Sequence, residues 1–198
     1  GKYFVTRNQS AIIAFKVSRK DYSGFHIAAS HSDSPTLKIK ESSEMNIENQ
    51  YVKLNVEKYG GMLCAPWFDR PLSVAGRIIV KDGNRLTTKL INVDRDLLMI
   101  PNLAIHMNRE VNDGYKYNIQ KDMLPLYRMS NSGKAFKEMI AEEAGVSVDQ
   151  IKGMDLFLYN RMEGTVWGCD GEFISAPRLD DLQCAFTSTM ALLNSESD

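Results

Sequence analysis

The sequence predicts a mixed α/β protein in which a strand-rich middle segment is inserted between two pieces of another domain. Three observations point there. Strand-length apolar runs stand near the start, at 11–15 and 25–30, each bounded by small or polar residues. Strand and turn signals then crowd the middle of the chain, and the last element is an amphipathic helix at 182–193. The boundaries expected on this reading are 1–50, 51–165 and 166–198. The 198 residues are 43% hydrophobic and 25% charged. That balance excludes a disordered or fibrous chain and allows a substantial core without disulfide or metal staples.

Each element has its own signal. Ala11-Ile12-Ile13-Ala14-Phe15 is a short apolar run, and Tyr22-Ser23-Gly24 punctuates the chain before 25–30, which reads as a mostly buried strand. Residues 52–56 and 78–80 read as strands. Lys81-Asp82-Gly83-Asn84 is a tight-turn signal between 78–80 and the alternating 86–93, so a hairpin is expected there. Phe136, Met139, Ile140 and Ala144 share one face at helical spacing, and Gly145 stands where a helix stops. Strands return at 154–159 and 164–167. In the final helix Leu182, Ala185, Phe186, Met190 and Leu193 form the apolar stripe, and Asp180 and Asp181 stand at its N-terminus, where carboxylates are favoured.

Charge and cysteine usage narrow the function. With 24 Lys and Arg against 25 Asp and Glu, the net charge of −1 gives no basic surplus for nucleic acid or an anionic membrane. The longest apolar stretches, such as 97–100, are far too short to span a bilayer. Cys64, Cys169 and Cys184 are odd in number and widely spaced, which fits neither a disulfide framework nor a CxxC zinc site. Reduced thiols in the cytoplasm are the simplest expectation. Both ends read as cut, because the chain opens in a strand-like run without an initiator Met and closes directly after the last helix.

Two segments could carry chemistry. In His31-Ser32-Asp33-Ser34-Pro35 the two-residue period of an extended chain puts His31 and Asp33 on one side. An Asp there can accept the imidazole N–H, which fixes the tautomer and makes the other nitrogen the better metal ligand. A plain surface loop is the competing reading. In Pro177-Arg178-Leu179-Asp180-Asp181-Leu182, adjacent carboxylates at a strand-to-helix junction can bind a divalent cation or simply cap the helix. Arg178 is expected to partner these acids rather than clamp a substrate.

Together these segments resemble the aspartyl aminopeptidase family of co-catalytic zinc exopeptidases. The matching stretches are Gly1-Lys2-Tyr3-Phe4-Val5-Thr6-Arg7-Asn8, then Phe25-His26-Ile27-Ala28-Ala29-Ser30-His31-Ser32-Asp33-Ser34-Pro35, then Tyr59-Gly60-Gly61. Trp67-Phe68-Asp69-Arg70 with Leu72-Ser73, Ile100-Pro101-Asn102-Leu103-Ala104-Ile105-His106, and the Pro177 to Leu182 segment follow in the same order. The resemblance implies part of a zinc-exopeptidase α/β catalytic domain interrupted by a β-rich dimerisation domain. It implies His31 as ligand of one zinc, Asp33 as the acid that orients it and supports the catalytic base, and Asp180 as the carboxylate bridging two zinc ions. It also implies a cis Asp180–Asp181 peptide bond. His106 would lie on a loop of the inserted domain that reaches a neighbouring subunit's active site, in a homo-oligomer acting on peptides with a free N-terminal Asp or Glu.

Other residues weigh less. His26 lies five positions before His31, on the opposite face of a regular strand, and is expected to be structural. Glu142-Glu143 ends a surface helix and is expected to be solvated. Cys184 is expected to pack rather than ligate. The family's catalytic glutamate, its further zinc carboxylates and its closing histidine would follow the final helix, beyond this sequence. With only His31 and Asp180 of the ligand set, this piece alone is expected to be inactive. Two alternatives stay open: a non-catalytic assembly or binding module working through the middle segment, and a zinc peptidase or deacylase of the same clan with another substrate.

Overall fold

A computed structural model describes residues 1–17 and 21–196. The chain forms two compact units, Gly1–Ser34 with Thr165–Asp198, and Pro35–Gly164. The first unit opens with strands β1 (Lys2–Arg7) and β2 (Ala11–Lys16), an antiparallel hairpin in register from Lys2↔Lys16 to Arg7↔Ala11. Its turn places Asn8 and Gln9 at φ 52° and 56°, the left-handed geometry that matches the twist of a two-stranded ribbon.

The second unit is built on a six-stranded antiparallel sheet. Its strands are β3 (Thr36–Ile47), β4 (Tyr51–Tyr59), β5 (Leu72–Asp82), β6 (Arg85–Asn92), β7 (Leu126–Met129) and β8 (Ile151–Asn160), in the order β6-β5-β8-β3-β4-β7. The expected hairpin is β5–β6, where Asp82 pairs with Arg85 and Gly83 takes φ 57°. β5 and β8 approach so closely at Gly76 that a Cβ there would collide with the Asp155 carbonyl.

A short helix α1 (Ile119–Asp122) and the longer α2 (Phe136–Ala144) accompany the sheet. α2 buries Phe136, Met139, Ile140 and Ala141 into a core shared with Leu37, Leu54, Leu72, Ile78 and Leu156. Each such side chain contributes about 1.5–3 kcal/mol by leaving water. Glu44 accepts from the Phe136 amide at 3.0 Å and Glu138 from the Ala135 amide at 3.0 Å, satisfying N–H groups the helix leaves open. Gly145, at φ 63°, closes the helix by donating to the Glu142 carbonyl.

This sheet moves the first boundary. β3 lies inside it, paired with β4 and β8, and buries Leu37 and Ile39 in the common core. The second unit therefore begins at Pro35 rather than at residue 51. Glycine 60, the turn 59–61 and the 65–70 segment belong to this unit as well.

The chain returns to the first unit through β9 (Thr165–Trp167), β10 (Phe173–Ser175) and helix α3 (Leu179–Asn194). β9 and β10 pair antiparallel, with the Trp167 and Phe173 rings 4.8 Å apart. Two expectations fail in this unit. Residues 25–30 run without a ladder partner among the described residues, and Phe25 and Ile27 are exposed, because a strand needs a neighbouring edge to pair with. The stripe of α3 is likewise uncovered: Leu182, Phe186, Met190 and Leu193 are exposed. Among the described residues no helix is long and apolar enough to cross a membrane, and Cys64, Cys169 and Cys184 form no disulfide.

Candidate metal centre

His31 sits at the end of the extended segment that leads into Pro35, and Asp180 sits in the turn that starts α3. That turn is unusual in its backbone. Arg178 is left-handed at φ 64°, Asp180 and Asp181 have non-helical dihedrals, and the Asp180–Asp181 peptide bond is cis, as the sequence resemblance implied. Regular helix begins only after Asp181. The two adjacent carboxylates differ in exposure, Asp180 with its side chain 94% exposed and Asp181 with 20%.

The fold brings His31 and Asp180 together from positions 149 residues apart: His31 Nε2 lies 3.3 Å from Asp180 Oδ1 and 4.0 Å from Asp181 Oδ2. The other ring nitrogen is held from behind. Nδ1 lies 2.9 Å from the Asp33 main-chain oxygen and 3.3 Å from its carboxylate Oδ1. A carbonyl only accepts, so Nδ1 carries a proton, and Nε2 is the ring nitrogen left to a metal ion. Asp33 thus orients the ring, but chiefly through its backbone rather than through the carboxylate the spacing suggested.

Electrostatics follow the same contacts. The Asp33 carbonyl bond, then the charges of Asp181, Asp33 and Asp180, raise the His31 pKa against an opposing desolvation. Asp181 is held below the usual carboxylate range by the Cys184 thiol and by the His31 amide, which donates to its Oδ2 at 3.2 Å. The Cys184 thiol is pushed up by the same carboxylate. Cys184 is exposed rather than packed, and its S–H donates to Asp181.

The donor set suits zinc, since an imidazole nitrogen and carboxylate oxygens are its ordinary ligands and the hydrogen bond at Nδ1 leaves Nε2 for the ion. Among the described residues no three His, Cys, Asp or Glu side chains are grouped to hold an ion. His31 and Asp180 are two donors, half of a tetrahedral set.

The remaining candidates lie elsewhere. His106 is exposed on the loop after Ile100, in the second unit. The base of that loop is fastened by Asp69, whose carboxylate accepts from the Asn102 amide at 2.9 Å and from Asn102 Nδ2 at 3.1 Å, while the Asp69 amide donates to the Ile100 carbonyl. His26 is exposed in the unpaired 25–30 segment. Glu142 and Glu143 make surface ion pairs with Lys134 and Arg95. Among the described residues the cationic neighbour of Asp180 and Asp181 is His31, not Arg178. Sequence reasoning missed Ser34, whose hydroxyl donates to the Asp180 carbonyl at 3.1 Å, and the grip of Asp181 on the His31 amide. No spacing rule announces a hydrogen bond across 146 residues.

An imidazole and a carboxylate facing each other, with Nδ1 held from behind, are two donors of the kind a metal site uses. The family model described as aminopeptidase I zinc metalloprotease (M18) matches residues 1–198, the whole chain. A probable M18 family aminopeptidase 2 of Clostridium acetobutylicum is 48% identical over 205 residues, covering 99% of this chain and 47% of the relative. Its counterpart in Pseudomonas paraeruginosa is 38% identical, covering 100% and 48%. The solved structure of mApe1 of Chaetomium thermophilum superposes with a TM-score of 0.85 at 36% identity, over 100% of this chain and 48% of that one. The chain belongs to the M18 family of aminopeptidase I zinc metalloproteases. It spans about half the length of the curated relatives it matches.

Proposed function

We propose that the protein carrying this chain is a zinc aminopeptidase that removes N-terminal Asp or Glu from peptides, with His31 and Asp180 among the ligands of a two-zinc centre. One observation carries the reading: His31 Nε2 faces Asp180 Oδ1 at 3.3 Å while Nδ1 is tied to the Asp33 carbonyl. Zinc bound there supplies Lewis acidity toward water and the scissile carbonyl. The chain's own groups do the rest of the local work. Asp33 keeps the Nδ1 proton in place, so Nε2 stays a donor. Asp180 leaves its carboxylate open to solvent beside His31 Nε2, where it would be available to hold zinc. The overall reaction consumes one water per peptide bond and yields a free amino acid and a shortened peptide.

Several finer features belong to the same proposal. The unit Pro35–Gly164 serves as a dimerisation domain of a homo-oligomer, and His106 reaches a neighbouring subunit's active site from its loop. A solved M18 structure of S. cerevisiae mApe1, 26% identical with a TM-score of 0.79, is described as a dodecamer, which supports assembly. The protein works in the cytoplasm. The 198 residues by themselves, with two donors, bind zinc weakly and do not turn over substrate.

The test uses the intact protein and aminoacyl arylamides of Asp, Glu and Leu. Release of arylamine from Asp or Glu substrates, abolished by a chelator and restored by zinc, is the expected result. Loss of about 100-fold or more in rate is expected for Asp180→Ala. Activity untouched by chelation, or by Asp180→Ala, would contradict the zinc reading. A preference for Leu would overturn the acidic specificity alone.

A further inference from the structure

Two hydrogen bonds cross between the His31 segment and the Asp180 turn, and neither is made by His31 Nε2 or Asp180 Oδ1. The Ser34 hydroxyl donates to the Asp180 main-chain carbonyl at 3.1 Å. The His31 amide donates to Asp181 Oδ2 at 3.2 Å. The His31 segment supplies both donors and the Asp180 turn both acceptors, so sliding either past the other breaks both bonds. Pro35 confines Ser34 to extended backbone, which limits the directions its hydroxyl can take. These contacts are also more sheltered than the site they flank, with Ser34 and Asp181 partly buried beside a fully exposed Asp180 carboxylate.

We propose that Ser34 and Asp181 are positioning residues, a metal-independent brace that sets the approach of His31 Nε2 to Asp180 Oδ1 and thereby the zinc affinity, without either side chain touching the ion. The proposal rests on the zinc reading of His31 and Asp180 given above. Its physical content is preorganisation. When partners behind the ligands hold them in place, the ordering of two distant segments is completed on folding and does not have to be supplied by the ion.

The test compares Ser34→Ala, Ser34→Thr, Asp181→Ala and Asp181→Asn in the intact protein. Zinc affinity is read by competition with a chromophoric chelator, and melting temperature is recorded alongside. Exchange of the His31 amide hydrogen is followed in metal-stripped protein by fragmentation mass spectrometry. Ser34→Ala and Asp181→Ala are expected to weaken zinc binding about 10-fold or more. Ser34→Thr, which keeps the hydroxyl, and Asp181→Asn, whose amide oxygen still accepts, are expected to recover most of it. In the stripped protein the His31 amide is expected to exchange slowly in wild type and faster in Asp181→Ala. Wild-type zinc affinity in Ser34→Ala, or a Thr variant no better than the Ala variant, would overturn the brace. Ser34→Ala leaves α3 untouched and keeps the test decisive should Asp181→Ala fail to fold. A wild type that binds no zinc would refute the zinc reading instead, and the brace would then stand or fall on the amide exchange alone.

Discussion

Within these 198 residues, about half the length of the curated relatives, burial among the described residues is confined to Pro35–Gly164, while the His31 and Asp180 segments outside those bounds meet through hydrogen bonds. Every buried side chain among the described residues lies in the second unit, from Leu37 to Leu158, whereas the first unit buries none and exposes Phe4, Ile12, Ile13, Phe25, Ile27, Ile174 and Phe186. The residues with metal-ligand chemistry, His31 and Asp180, stand in the unit without a core. Their geometry comes instead from local backbone conformation and a few long-range hydrogen bonds.

The largest expected effect separates the two units directly. Leu72→Ala or Leu156→Ala, each at a fully buried position of the sheet, is expected to destabilise the 198-residue chain by about 2–5 kcal/mol. Ile27→Ala, at 85% exposure, is expected to change the same chain by no more than about 0.5 kcal/mol. Denaturant titration of the three variants checks both. Equal losses at Leu156 and Ile27 would erase the distinction.

A loop inside the cored unit sharpens the comparison, because it too is held by hydrogen bonds. Asp69→Ala removes both acceptors from Asn102 and is expected to cost about 1–2 kcal/mol. Faster proteolysis within 101–118 and faster exchange of the Asn102 amide should accompany the loss, with the sheet amides unchanged.

Smaller effects come from titration. Burial, then the charge of Glu44, raises the Tyr127 phenol above the usual tyrosine range, and its hydroxyl donates to the Lys134 carbonyl. A raised folded pKa means that the contribution is complete below the ordinary value, near pH 10, and is lost as pH climbs through the folded value. Alkaline absorbance titration should therefore show Tyr127 ionising late, and Tyr127→Phe should remove that late step. The smallest effect belongs to the exposed Lys134–Glu142 pair. The Lys134 hydrogen bond and charge lower the Glu142 pKa, so its contribution is present above the ordinary carboxylate value and fades as pH falls through the folded one. Lys134→Ala should return Glu142 toward the ordinary range, as carboxyl NMR would show.

Much of the cored unit was legible because its signals are local. The Asp82 to Arg85 turn, the β5–β6 hairpin and the α2 face closed by Gly145 each follow from residues a few positions apart. The position of β3 was not, although it forms a local hairpin with β4 across the turn after Ile47, because its polar, weakly alternating second half from Glu41 carries little strand signal. At the candidate centre, periodicity placed His31 and Asp33 on one side and marked Asp181 as a cap. It could not show that the Asp33 carbonyl rather than its carboxylate makes the closer contact, nor that Ser34 reaches Asp180, because both depend on local dihedrals and on tertiary approach. The 25–30 segment misled for the converse reason. Its composition favours a strand, but a strand is completed only by a partner.

The account turns on His31 and Asp180 acting together on an ion. The most direct measurement is zinc content per chain of the intact protein after gel filtration against a dilute chelator, for wild type, His31→Ala and Asp180→Ala. Retention of zinc by the wild type, with a loss of at least one ion per chain in each variant, is the predicted result. Equal zinc in all three proteins would contradict it.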